Sequence, residues 1–184
     1  MLPYTINEEI IRQTLEVKFR INSKTYNDWY ICFSNPTAGP WKNILFVTQK
    51  GEIIKIGSYE KEEKRPDLII FSRNNKSVLI IEAKEKIEDL IKEKDKIIKT
   101  FDKEEKKLKS LPLIQGEIND FEILYGLVFY SLNPIVDYPK VKNVYNLNNL
   151  VVFFVMLDGV NLVVKGETEI ESKTINELKK FIPF

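Results

Sequence analysis

Arg65 to Lys86 reads RPDLIIFSRNNKSVLIIEAKEK. Two apolar runs, LIIF and VLII, flank the polar turn RNNK. Neither run alternates apolar with polar residues, as a strand with one wet face would. A nearly continuous apolar run needs cover on both faces. The segment therefore predicts two adjacent central strands in a sheet flanked by helices. Each run carries an acid at its outer end, Asp67 before the first and Glu82 at the close of the second. An antiparallel hairpin centred on Asn74-Asn75 sets Asp67 opposite Glu82. Side chains alternate across a strand, so Glu82 and Lys84 share a face. Two carboxylates and an ammonium thus converge where the sheet ends and a helix begins.

The surrounding chain supplies the helices. Ile6 to Asn22 reads as a helix capped by Thr5 or Asn7, with Glu8 and Glu9 in its first turn. Ile10, Ile11, Leu15, Val17, Phe19 and Ile21 form its apolar face, Glu8 lies at the edge of that face, and Glu9 and Glu16 point away. WYICF is a short strand, SNPTAGP a loop, and Ile44 to Gly57 a hairpin turning near Lys50-Gly51. Lys84 to Ser110 predicts one long charged helix, ended by Pro112. Phe121 to Leu132 is another buried strand. NPIVDYPKVKNVYNLNN reads as irregular, LVVFFVML and NLVVKG as a hairpin about Asp158-Gly159, and TINELKKFIPF as a short helix capped by Thr174 with Glu177. The expected fold is α/β, a mixed central sheet with helices on both faces. A chain of 184 residues fits a single domain over 1–184. Its core lies at about 6–132, and residues 133–184 add a hairpin and a terminal helix.

Composition narrows the chemistry. There is no histidine and one cysteine, Cys32. That removes histidine general bases, Ser-His-Asp and Cys-His nucleophile systems, and zinc sites built on histidine or clustered cysteine. Carboxylates, lysines, tyrosines or a hard metal remain, and oxygen ligands favour Mg2+ or Mn2+. A net charge of +1 leaves nucleic-acid binding to a local basic face. No apolar run has the roughly 20 residues of a membrane span. The leading residues MLPYTINEEI carry no signal-peptide pattern, so the cytoplasm is the expected compartment.

Two carboxylates held close repel and raise each other's pKa, and a divalent cation removes the conflict. The spacing E-x-K alone carries no information, since it recurs at Glu16/Lys18, Glu62/Lys64 and Glu104/Lys106. Only Glu82/Lys84 closes a buried-looking strand and follows a Pro-Asp that opens the preceding one. An ordinary turn at Pro66-Asp67 with a surface Glu82–Lys84 ion pair is the plain alternative.

Pro66-Asp67 and Glu82-Ala83-Lys84, in the order helix, strands, PD strand, ExK strand, helix, strand, resemble the PD-(D/E)xK nuclease superfamily over roughly Glu8 to Leu132. The resemblance implies a restriction-endonuclease-like αβββαβ core. It implies Mg2+, with Mn2+ as a substitute, held by Asp67, Glu82 and the main-chain carbonyl of Ala83. It implies that Lys84 assists the attacking water or the transition state, with a first-helix glutamate, Glu8 before Glu9, as a further site residue. The implied activity is hydrolysis of double-stranded DNA, foremost by a type II restriction enzyme acting as a homodimer. A repair or recombination nuclease such as a Holliday-junction resolvase is the enzymatic alternative. A non-catalytic nuclease-fold module that binds DNA or a partner subunit is the other.

For substrate contact, two stretches stand out: Thr25 to Asn43, and Asn133 to Asn149 with Lys140, Lys142, Asn143 and Asn146. Asparagine can pair with adenine, and lysine can reach guanine or phosphate. A polar surface loop is the competing reading of each. The lysines after Lys84 are interleaved with acids and read as a solvated face of ion pairs.

Overall fold

The apolar runs fold as their pattern requires. In the computed structural model, which describes residues 6–26, 29–33, 43–47, 53–58, 66–72, 77–109 and 122–169, LIIFS forms β4 (Leu68–Ser72) and SVLIIEAK forms β5 (Ser77–Lys84). They pair antiparallel with Leu68 opposite Ile81 and Ser72 opposite Ser77. That is the register expected from a turn at Asn74-Asn75. On the other side of β4 lies β1 (Trp29–Phe33), also antiparallel. β6 (Glu122–Tyr130) runs parallel to β5, and β7 (Leu150–Asp158) parallel to β6. β8 (Asn161–Glu167) closes the sheet antiparallel to β7. The six-stranded order is β1-β4-β5-β6-β7-β8. β2 (Asn43–Val47) and β3 (Ile53–Ser58) form the expected separate hairpin.

Helices cover both faces. α1 (Glu8–Tyr26) is capped by Asn7, whose Oδ1 accepts the Ile10 N–H at 3.0 Å. Its Ile11 and Leu15 pack on Leu68, Ile70, Leu79, Ile81 and Ala83. Val17 departs from the expected apolar face and is exposed, whereas Arg12 is buried. The guanidinium lies between Glu9 at 2.6 Å and Glu16 at 2.7 Å, so its burial is paired.

The opposite face is covered by α2 (Ile87–Lys92), α3 (Lys94–Lys109) and α4 (Pro134–Tyr145). Ile87, Leu90, Ile97, Phe101, Leu108, Val141 and Tyr145 pack there on Ile69, Val78 and Ile80. Two expectations are corrected on this side. The charged segment after Lys84 is two helices broken at Glu93 rather than one, and Lys84 itself ends β5. Asn133 to Asn149 is largely helix rather than irregular: Pro134 fits the first helical turn, and Pro134, Val141 and Tyr145 are buried on one side. Pro139 lies on the exposed side, where the carbonyl left by its missing N–H is not forced into the apolar core. The hairpin expected beyond residue 132 is present as β7 and β8, which extend the same sheet, and Phe153, Phe154 and Val155 are fully buried. The terminal helix expected at 174–184 lies outside the described residues. No helix of the described residues is long and apolar enough to cross a membrane.

The central position of β6 depends on a missing side chain. A Cβ on Gly126 would stand 2.7 Å from Ile81 Cγ1 and 3.3 Å from Leu79 Cδ1. Both neighbours are buried in the cluster under α1, so neither has open space to move into. Gly126→Ala is expected to destabilise the fold by about 1–3 kcal/mol, the usual cost of overpacking. Urea unfolding measures it, and an unchanged or higher midpoint contradicts it.

Candidate functional site

The pairing of β4 with β5 decides where the acids go. Strand alternation places Asp67 on the side of Ile69, and Glu82 on the side of Val78 and Ile80, which is the face under α3. Both carboxyls are buried, at 7% exposure each. The Asp67 N–H donates to the Ile81 carbonyl at 2.9 Å, which seats the residue at the mouth of the hairpin. The Ala83 N–H donates to Asp67 Oδ2 at 2.6 Å. In a strand the N–H and C=O of one residue point to the same side. The Ala83 carbonyl therefore faces the Asp67 side, while its methyl group packs under α1.

Lys84 completes the group. Its Nζ donates to Glu8 Oε2 at 2.9 Å, joining the end of β5 to the first turn of α1. The lysine side chain is 12% exposed and that of Glu8 47%. Glu9, the second candidate, is engaged elsewhere: Arg12 and Gln13 both donate to it. The hydrogen bond from Arg12 holds the Glu9 carboxyl below its ordinary value. Glu8 is thus the first-helix glutamate that reaches the cluster, and it does so through Lys84. Among the described residues Asp67 and Glu82 meet as a pair, and no third acid, histidine or cysteine joins them in a metal-holding group.

The pair is electrostatically strained. Burial pushes Glu82 well above the usual carboxylate range, and the neighbouring Asp67 charge adds to it. Burial also raises Asp67, against the opposing Ala83 hydrogen bond and Lys84 charge. Burial alone would lower Lys84. The hydrogen bond to Glu8 and the charges of Glu8, Glu82 and Asp67 outweigh it and hold the ammonium above its ordinary value. Lys84 is therefore a cation at neutral pH, suited to stabilising negative charge rather than to abstracting a proton.

Asp67, Glu82 and Lys84 open into a cavity of about 180 Å³, completed by Glu93, Lys96, Ile97 and Thr100. Small-molecule pockets usually take about 300–1,000 Å³. This space suits a hydrated cation and part of a phosphate better than a whole metabolite. A larger groove of about 520 Å³ between α1 and β8 is lined by Ile10, Val17, Leu162 and their neighbours and holds no carboxylate. The donors of the smaller site are all oxygen, and the two raised carboxyls are the kind of conflict a divalent cation relieves. The residues present fit Mg2+ or Mn2+, with Asp67, Glu82 and the Ala83 carbonyl as the groups that would hold it.

Glu93, Lys96 and Thr100 escape the sequence reading. Their spacing, i, i+3 and i+7, puts them on one helical face, but a single unbroken helix conceals that this face looks onto Glu82. The Lys96 ammonium pairs with Glu93 at 2.7 Å, and the Thr100 hydroxyl donates to the Lys96 carbonyl at 3.0 Å. The second substrate stretch fares differently. Lys140 meets Asp137 at 3.5 Å, Lys142 pairs with Glu169, and Asn143 is exposed on α4. Asn146 ends that helix in the left-handed region, at φ 46°. None of the four lines the acidic cavity. Of the first stretch, only the backbone of β1, which includes Trp29, and the end residues 25, 26 and 43 fall within the described residues. Trp41 lies outside them.

A scan against models of known protein families matched none, and searches of curated proteins and of solved structures likewise found no match.

The strained pair has a stability signature. In metal-free protein Glu82 binds its proton more tightly folded than unfolded. From its ordinary value of 4.5 up to its raised folded value, the native state carries more protons than the unfolded one, so stability falls as pH rises. Glu82→Gln removes that dependence. In EDTA at neutral pH the variant is expected to melt about 2–4 °C above wild type, a gain of about 1 kcal/mol for a chain of this size. At acid pH, where Glu82 is protonated in both states, the two should converge. An unchanged or lower melting temperature at neutral pH contradicts the assigned strain.

Proposed function

We propose that this chain is a divalent-metal-dependent endonuclease of the PD-(D/E)xK type that hydrolyses phosphodiester bonds in double-stranded DNA. The observation that carries the reading is the convergence of the buried Asp67 and Glu82 with Lys84 on one small cavity at the end of two central strands. The order of elements supports it: helix, strands, acid-opened strand, Glu-x-Lys strand, helices, parallel strand. So does the charge state. Bringing two carboxylates out of water without a cation is unfavourable, and among the described residues no arginine or lysine stands at hydrogen-bond distance from either.

The residues divide the work. Asp67 and Glu82 bind the cation, with the Ala83 carbonyl beside them. The Ala83 N–H fixes the Asp67 carboxylate, so the group is oriented before substrate arrives. A bound divalent ion would supply Lewis acidity toward the phosphate. Lys84, kept protonated by Glu8, stabilises charge developing on the phosphoryl oxygens. Glu8 positions that ammonium rather than touching the reacting atoms. One such site cuts one strand, so duplex scission calls for two copies of the chain. A fixed recognition sequence, as in a type II restriction enzyme, suits a net charge of +1 better than indiscriminate binding does.

Incubation with unmethylated DNA of genomic complexity and Mg2+ tests this. Discrete fragments are expected, abolished by EDTA and reduced about 100-fold or more by Lys84→Ala, the scale of losing one preorganised charge-stabilising group. A metal-dependent smear, or cleavage restricted to branched DNA, would keep the nuclease and move it to repair or recombination. No cleavage of linear or branched DNA, with wild type and variant alike, overturns the catalytic reading.

A further inference from the structure

Six charged side chains meet at or beside the cavity: Asp67, Glu82, Glu8 and Glu93 against Lys84 and Lys96. The two lysines are held in parallel ways, each by a glutamate from a neighbouring element or turn. They differ in depth. Lys84 is nearly enclosed, at 12% exposure, whereas the Lys96 side chain is 50% exposed and its partner Glu93 33%. Lys96 therefore stands at the rim, between the acid pair and solvent.

Its backbone does not move freely. The next residue, Ile97, is buried, as are Thr100 and Phe101. The Ile97 N–H donates to the Glu93 carbonyl at 3.0 Å, and the Thr100 hydroxyl closes on the Lys96 carbonyl. Behind this turn, the buried Tyr145 hydroxyl donates to the Leu90 carbonyl at 2.8 Å, tying α2 to α4. A long cationic side chain is thus mounted on a fixed base beside the cavity. Among the described residues its contact with Glu93 is what holds it in place, and a half-exposed ion pair of this kind is readily given up.

We infer that Lys96 is a second phosphate-binding cation of this site, held in reserve by Glu93 until a DNA backbone enters. The inference rests on the nuclease reading for the identity of the substrate. A cation bound by Asp67 and Glu82 would neutralise that pair, and the charge Lys84 turns toward the phosphoryl oxygens is already matched by Glu8. An entering phosphodiester then brings a negative charge with no counter-charge of its own, and Lys96 is the lining group that can supply one. Exchange of Glu93 for phosphate moves no backbone and breaks one exposed pair. Lys96 is a binding and positioning residue here; Glu93 sets how easily it is released.

The test reads binding rather than turnover. A fluorescently labelled mixed-sequence DNA duplex is titrated with the full chain in Ca2+ by anisotropy, over a range of salt, using wild type, Lys96→Ala, Lys96→Arg and Glu93→Gln. Lys96→Ala is expected to weaken binding about tenfold and to lower the salt slope by about 1, the mark of one lost phosphate contact. Lys96→Arg should retain the slope, and Glu93→Gln should tighten binding a fewfold by freeing the ammonium. A merely structural role would move the melting temperature without moving the slope. An unchanged slope in Lys96→Ala, or an arginine variant as weak as the alanine one, overturns the inference. Cleavage by wild type with unaltered Lys96→Ala binding removes this inference alone. Binding changes as described without metal-dependent cleavage remove the catalytic reading and leave Lys96 as a phosphate contact.

Discussion

Two carboxylates buried against each other at the open end of the β4–β5 hairpin are the constraint on which the site depends. Asp67 and Glu82 are fifteen positions apart, yet the register that pairs Leu68 with Ile81 makes them neighbours. A one-residue slip would turn every side chain of one strand to the opposite face. The apolar residues forbid that slip, because Ile69, Val78 and Ile80 face α3 while Leu68, Ile70, Leu79 and Ile81 face α1. The same packing that builds the core therefore holds the acids together against their mutual repulsion.

The rest of the fold surrounds that point in layers. α1 delivers Glu8 to Lys84 across the end of the sheet while its buried face closes one side of β5. α2 and α3 close the other side and contribute Glu93, Lys96 and Thr100 to the cavity. The parallel strand β6 follows on, and its Tyr130 N–H reaches the Glu85 carbonyl at 3.3 Å, just past the end of β5. The acidic cavity sits where the carboxyl end of a parallel strand meets its crossover helix, a usual place for a ligand in an open α/β sheet.

Much of this was legible before any coordinates. The central strands announced themselves by unbroken apolar runs, and the polar RNNK turn set their register and hence the Asp67–Glu82 approach. Asn7 as one of two possible caps, and Glu8 at the edge of the apolar face, followed from helical geometry. Other features were hidden for identifiable reasons. Pro134 and Pro139 masked α4, although Pro134, Tyr138, Val141 and Tyr145 recur at helical spacing. The break at Glu93 carries no glycine or proline, so nothing local marks it, and with it went the lining role of Glu93 and Lys96. Arg12 could not be read as buried, since its burial depends on Glu9 and Glu16 folding over it. Val17 lies where the apolar face of α1 meets the groove beside β8 rather than the core.

Calorimetric titration of the metal-free protein with Mn2+, repeated in two buffers of different ionisation enthalpy, tests the central claim most directly. If Asp67 and Glu82 form a cation site held partly protonated by burial, binding is expected at one site per chain, with protons released to the buffer and with heats that differ between buffers accordingly. Asp67→Asn should abolish it. Absence of binding, or binding that the variant leaves intact, would mean that the buried pair is not a metal site, and the nuclease reading built on it would fall.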